Sequence, residues 1–217
     1  IEYNMILLLG IRNVHQTAAA CFSACSPASR YRRQSRSSVR RPAGQHTGLL
    51  VRSVDYWAVG GLDDKFFAHQ EEIDLCWRLR SRNRGIVAIP QSRVLHVGGA
   101  TLNSSNPYKT FLNFRNNLLL LYKNLPEREL KKVMFVRFWL DMVAAFMFLL
   151  KLNTGNFKAV LKARRAFRRM KPEFADKRAE NISKTVLENI PERSGFLLVW
   201  QYHLLGKRTY KQLHGQD

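Results

Sequence analysis

Residues 71–90 constrain the fold of this chain more than any other stretch. Along Glu71-Glu72-Ile73-Asp74-Leu75-Cys76-Trp77-Arg78-Leu79-Arg80, the residues Ile73, Cys76, Trp77 and Arg80 recur at helical spacing. Basic residues crowd the last turns and Gly85 can end the helix, after which Ile86-Val87-Ala88-Ile89 is an apolar run of strand length closed by Pro90. A one-sided helix followed by a buried strand implies an α/β sheet unit. Upstream, Gly48 to Ser53 reads as a short strand, and Asp55 to Val59 as a helical turn ending at the Gly60-Gly61 punctuation. Downstream, Leu95-His96-Val97-Gly98-Gly99-Ala100-Thr101 is a glycine-bearing loop, and Thr110 to Lys123 an amphipathic helix.

On either side of this block the text changes. Residues 1–45 run from Ala/Ser/Cys-rich text into Tyr31-Arg-Arg-Gln-Ser-Arg-Ser-Ser-Val-Arg-Arg-Pro42, with a period of neither 2 nor 3.6. A poorly ordered basic segment is expected there: an arm for RNA or lipid, a solvated tail, or a stretch read out of frame. No export signal is read in the apolar run Met5 to Gly10, which lacks a basic flank, and a start at Ile1 is expected of a fragment. After Pro126 the pattern is helical only. Val133 to Leu150 is 18 residues of mostly apolar type interrupted by Arg137 and Asp141, too short and too charged for a comfortable span. Lys151 to Arg178 then carries ten Lys/Arg beside Phe157, Val160, Leu161 and Phe167. A basic amphipathic helix beside an apolar one is a membrane-surface signature, or else a charged helical appendage.

With 46% hydrophobic residues the chain is not of the disordered class, and a net charge of +20 favours a polyanionic neighbour without choosing among phosphates, nucleic acid and an anionic leaflet. The three cysteines, Cys21, Cys25 and Cys76, form no paired framework, which favours the reducing, cytoplasmic side.

The chemistry concentrates in Gly60-Gly61-Leu62-Asp63-Asp64-Lys65-Phe66-Phe67 and the acids that follow, Glu71, Glu72 and Asp74. Three carboxylates in four positions behind a Gly-Gly turn can deliver a general base from a helix N-terminus, as attack by a sugar hydroxyl requires. Equally, Glu71 and Glu72 can serve the helix dipole while Asp74 pairs with Arg78 at i,i+4. His96 beside Gly98 and Gly99 suits close approach to phosphate oxygens or a turn. Arg115 and Asn116 can reach an anionic leaving group or line the polar face of their helix.

The run from Gly60 to Leu79, continued by Pro90-Gln91-Ser92, His96-Val97-Gly98-Gly99 and Asn113-Phe114-Arg115-Asn116-Asn117, resembles the acceptor-side block of bacterial family 2 glycosyltransferases, including rhamnosyltransferase-like members. The resemblance implies a partial GT-A-type α/β fold, a mixed sheet remnant, over residues 46–125. A helical, membrane-associated tail over residues 126–217 would follow it. It also implies inverting transfer of a sugar from a nucleotide-sugar donor to a glycan or lipid-linked acceptor hydroxyl. In that family an acidic pair, usually Glu-Asp, carries the base in its second member. Here the pair is Glu71-Glu72, so Glu72 is the implied base, with Glu71 and Asp74 as substitutes. His96, Gly98, Gly99, Arg115 and Asn116 become donor diphosphate contacts, and His96 a possible ligand of Mg²⁺ or Mn²⁺.

The family's Asp-x-Asp motif occurs nowhere in the chain, so the donor site is expected to be incomplete and the N-terminus truncated or frame-disrupted. The expected location is the cytoplasmic face of the plasma (inner) membrane, held peripherally by an anionic surface, in cell-surface polysaccharide or glycolipid synthesis. Two other classes compete: a basic nucleic-acid-binding protein, for which no stacking module or helix-turn-helix is evident, and a non-catalytic membrane-bound adaptor built on a transferase fragment.

Overall fold

The computed structural model describes residues 49–87, 106–190 and 193. The described residues through Glu188 lie in one compact unit. They form six α-helices: α1 Ser53–Ala58, α2 Glu71–Ser81, α3 Pro107–Asn124, α4 Glu127–Leu150, α5 Thr154–Met170 and α6 Ala175–Ser183, with 3₁₀ turns at Asp64–Phe66 and Pro172–Phe174.

The two long expected helices form for local reasons. In α2, Glu71, Glu72 and Asp74 occupy the first turn while Arg78 and Arg80 sit in the last, each matching the helix dipole. For α3, Asn106 caps the start by accepting from the Tyr108 N–H, and Pro107 occupies the first turn, where its missing N–H costs nothing. Leu112, Phe114, Leu118, Leu119, Leu120 and Leu121 of α3 are all buried, making it the central helix. Alongside it runs α5, the Cβ position of Gly155 lying 2.9 Å from the Pro107 ring and the Phe167 ring meeting Tyr122 edge-on.

The expected strand from Gly48 to Ser53 does not form: Leu49 to Arg52 are irregular and Ser53 opens α1. A strand needs a neighbour for its N–H and C=O groups, and the described residues contain no strand. Leu49 and Val51 pack instead against Val59, Leu75 and Leu79. Of the second expected strand, Ile86 and Val87 are irregular, while Ala88 and Ile89 lie outside the described residues, as do 1–48 and the loop bearing His96, Gly98 and Gly99.

The apolar run from Val133 belongs to a longer helix than expected. At 24 residues α4 is about 36 Å long, so length and composition would let it cross a bilayer. The two charges that interrupt it do not face water. Arg137 and Asp141, each 1% exposed, pair with each other at 2.6 Å, and Asp141 also receives Arg164 of α5 at 2.6 Å. An i,i+4 pair on one helix face is drawn inward because a third charge from α5 completes it, and the Arg137 guanidinium lies over the Phe114 ring of α3. This leaves the opposite stripe, Phe135, Trp139, Val143, Phe146 and Leu150, exposed. The basic stretch after it is divided between α5 and α6 by the turn at Pro172.

Candidate active site

Two glycines set up the entrance to the acidic block. Gly60 and Gly61 hold φ of 82° and 65°, and a Cβ on Gly61 would lie 3.0 Å from the Tyr56 ring, so a side chain there meets both strain and the ring. The reversal is held from α2, where Arg78 donates to the Val59 carbonyl and, at 2.6 Å, to that of Gly61.

Next comes the loop that delivers the acids. Asp63 caps the 3₁₀ turn by accepting from the Lys65 N–H, and Phe66 is fully buried, edge-on to Phe174. Then Phe67, His69 and Gln70 take φ of 62°, 69° and 78°, a backbone region that L-residues rarely adopt. Such strain costs about 1–3 kcal/mol per residue and persists only where the surroundings over-determine it. Here α3 does so: the Asn116 amide donates to the carbonyls of Phe66, Ala68 and His69 at 2.8–2.9 Å, and Arg115 donates to those of Lys65 and Phe66. Asn116, 0% exposed, therefore shapes the loop. Arg115, also bonded to the Asn116 side-chain oxygen, keeps a half-exposed position beside the loop.

The three candidate carboxylates end in three different environments. Asp74 is 0% exposed and accepts from Arg78, from Lys123 at 2.9 Å and from Asn124 at 2.8 Å. It is the hub of the interior, and the i,i+4 pair with Arg78 is present at 2.7 Å. Glu71 is half-buried with one carboxylate oxygen enclosed and unpartnered; burial first, and the neighbouring Glu72 charge second, push its carboxyl above the ordinary value. Glu72 is exposed at the first turn of α2. Beside them the Gln70 side chain, 2% exposed, has neither its amide nitrogen nor its oxygen partnered. A strained loop therefore ends in one solvent-facing carboxylate and one partly desolvated carboxylate at a helix N-terminus, which suits acceptance of a proton from a hydroxyl at neutral pH.

Lys123 joins this hub from 49 residues downstream of Asp74, bridging Asp63 at 2.7 Å and Asp74 at 2.9 Å, while Lys177 of α6 reaches Asp63 at 2.7 Å. Sequence reasoning assigned none of Asp63, Lys123, Asn124 or Lys177. The available signal is that Asn116, Asn117, Lys123 and Asn124 share the spacing of the buried stripe of α3, where polar residues are tolerated only if partnered. Burial by itself would raise the Asp63 carboxyl, but hydrogen bonds and charge from Lys123 and Lys177 override it and lower it from 3.8 to about 2. Because the folded value lies below the unfolded one, Asp63 stabilises the fold above pH ~4 and loses that contribution as the pH falls toward about 2. Asp63→Asn should lower stability at pH 7 by about 2 kcal/mol and flatten the dependence between pH 4 and 2. Urea unfolding across that range tests this, and parallel curves for the two proteins would refute it.

Among the described residues no group of three His, Cys, Asp or Glu side chains can hold a metal ion, and His96 lies outside them.

Comparison with known proteins places part of the chain. Over 68 residues, 30% of this chain, the sequence is 37% identical to the N-acetylglucosaminyl-diphospho-decaprenol L-rhamnosyltransferases of two Mycobacterium tuberculosis strains, CDC 1551 / Oshkosh and ATCC 25618 / H37Rv. The segment is glycosyltransferase-like. The match spans about a fifth, 22%, of the length of those relatives. No protein-family model matches the chain, and no solved structure matches it.

Proposed function

We propose that these residues form the acceptor side of an inverting glycosyltransferase working at a membrane surface. Glu72 accepts the proton of the acceptor hydroxyl as that oxygen attacks the anomeric carbon of a nucleotide-sugar in line, and the nucleoside diphosphate leaves. The observation that carries the reading is the delivery of Glu71-Glu72 at the first turn of α2 by a strained loop clamped from α3, in a chain whose relatives are rhamnosyltransferases. Those relatives are named for a diphospho-decaprenol-linked acceptor, and a lipid-linked glycan is the acceptor proposed here. Mg²⁺ or Mn²⁺ with His96, Gly98 and Gly99 at the donor diphosphate belong to the same proposal, on the sequence resemblance.

The exposed stripe of α4, beside the basic α5, supports a peripheral position with the apolar side chains at the acyl boundary and the Lys/Arg at the head groups. With Arg137 and Asp141 paired inward, α4 presents only apolar surface along that stripe, while the cations of α5 oppose insertion of the pair as a spanning hairpin. Each Lys or Arg near an anionic surface contributes about 1 kcal/mol.

The test is transfer of labelled sugar from a nucleotide-sugar to a polyprenyl-diphosphate-linked glycan by the full polypeptide that carries these residues, on vesicles with and without anionic lipid. Transfer that co-floats with anionic vesicles, weakening with salt without vanishing, is expected. No transfer with any lipid-linked acceptor overturns the enzymatic reading. A protease-protected fragment containing α4 would overturn the peripheral one.

A further inference from the structure

A groove of about 630 Å³ runs between α4 and α5, open to solvent, apart from the loop that bears Glu71 and Glu72. Phe138 and Met142 wall it from α4; Leu161, Arg165, Arg168 and Arg169 wall it from α5. Arg164 also borders it, but this guanidinium is committed to Asp141 at 2.6 Å and lies over the Phe138 ring at 4.8 Å. Arg165, Arg168 and Arg169 are exposed and have no acidic partner among the described residues. With Leu161 they fall at i, i+4, i+7 and i+8, so all four project from one face of α5.

The groove is graded along its length. Because α4 and α5 are joined by a short turn and Arg164 meets Asp141, the two helices run antiparallel, which sets Met142 toward Leu161 and away from Arg168 and Arg169. Arg168 and Arg169 therefore lie at one end and Leu161 and Met142 toward the other, where Lys158 and Lys162 of α5 are also exposed. Past Met142 the apolar surface continues along α4 through the exposed side chains of Phe146 and Leu150.

We infer that this groove binds an amphiphile with a diphosphate head and a long apolar chain, the head on Arg165, Arg168 and Arg169 and the chain past Leu161 and Met142 onto the outer stripe of α4. Guanidinium forks match phosphate oxygens in pairs. A phosphodiester brings a single negative charge and would leave two of the three guanidiniums unmatched, whereas a diphosphate brings at least two charges and more acceptor oxygens. The choice of a diphosphate lipid rests on the proposed action on a lipid-linked acceptor; the groove and its polarity do not.

Farnesyl diphosphate, titrated into the full chain held in phosphatidylcholine nanodiscs, is the probe. It should bind saturably, and Arg165→Gln, Arg168→Gln and Arg169→Gln combined should weaken it by about tenfold or more, with the circular dichroism of the wild type retained because all three side chains are exposed. Met142→Ser should weaken farnesyl diphosphate while leaving inorganic diphosphate unchanged. Inorganic diphosphate and farnesol should each bind at least about tenfold more weakly than farnesyl diphosphate. Equal binding by the triple variant, inorganic diphosphate matching farnesyl diphosphate, or farnesol doing so each overturns the proposal. Phosphatidylglycerol in the discs displacing the probe at equal concentration would overturn it in favour of a general head-group site. Binding retained in a protein without transfer counts against the transferase; transfer without binding counts against the groove.

Discussion

Asp74→Ala should destabilise the fold by about 3–5 kcal/mol, the cost of removing one partner from a buried ion cluster and leaving the others uncompensated. The substitution would leave Arg78, 3% exposed, without its acid, Lys123, 4% exposed, with Asp63 alone, and the Asn124 amide with only the Leu120 carbonyl. Because Arg78 also holds the carbonyls of Val59 and Gly61, and Lys123 also holds Asp63, damage should spread from α2 to the Gly-Gly turn and the loop before Glu71. Asp74→Asn should cost less, since the amide keeps the volume and one acceptor. Thermal and urea unfolding of both variants read the effect. A wild-type unfolding midpoint for Asp74→Ala with transfer abolished would make Asp74 a chemical residue and not the interior hub described above.

Glu72→Gln should lower transfer by about 10²–10⁴ with donor affinity and unfolding unchanged, since the amide keeps the size but accepts no proton. Exposure makes this substitution structurally silent. Glu71→Gln separates the two acids. That residue's carboxyl is raised chiefly by burial, so if it were the base the acidic limb of kcat/KM would lie above the ordinary glutamate range, near 4.3. The expected result is that Glu71→Gln keeps most activity. A limb displaced upward, together with loss of turnover in Glu71→Gln and near-normal turnover in Glu72→Gln, would move the base one residue upstream.

Much of the local structure around this site was legible in the sequence. The spacing of Ile73, Cys76 and Trp77 announces α2, and the Leu-rich stretch behind Pro107 announces α3, because helix formation depends on neighbours three and four residues apart. The Asp74–Arg78 pair is legible for the same reason. Position of the Glu71-Glu72 pair at a helix start, after a Gly-Gly reversal, also follows from residues within one or two turns of one another.

Which polar groups are taken into the interior depends on contacts between helices distant in the chain. Arg137 and Asp141 look from their own helix like interruptions seeking water; Arg164, 23 residues beyond Asp141, turns them inward and so determines which face of α4 is left apolar. Asn116 looks like a helix-surface amide, yet the carbonyls it gathers lie 47–50 residues upstream. Lys123 looks like a solvated cation at the end of α3 until Asp63 and Asp74 arrive on either side. Periodicity and capping act over a few residues and so make the helices and the acidic pair readable along the chain; the assignment of each charge to water or to the core required the packed helices, because a buried charge is tolerated only once a partner distant in the chain is fixed within hydrogen-bond reach.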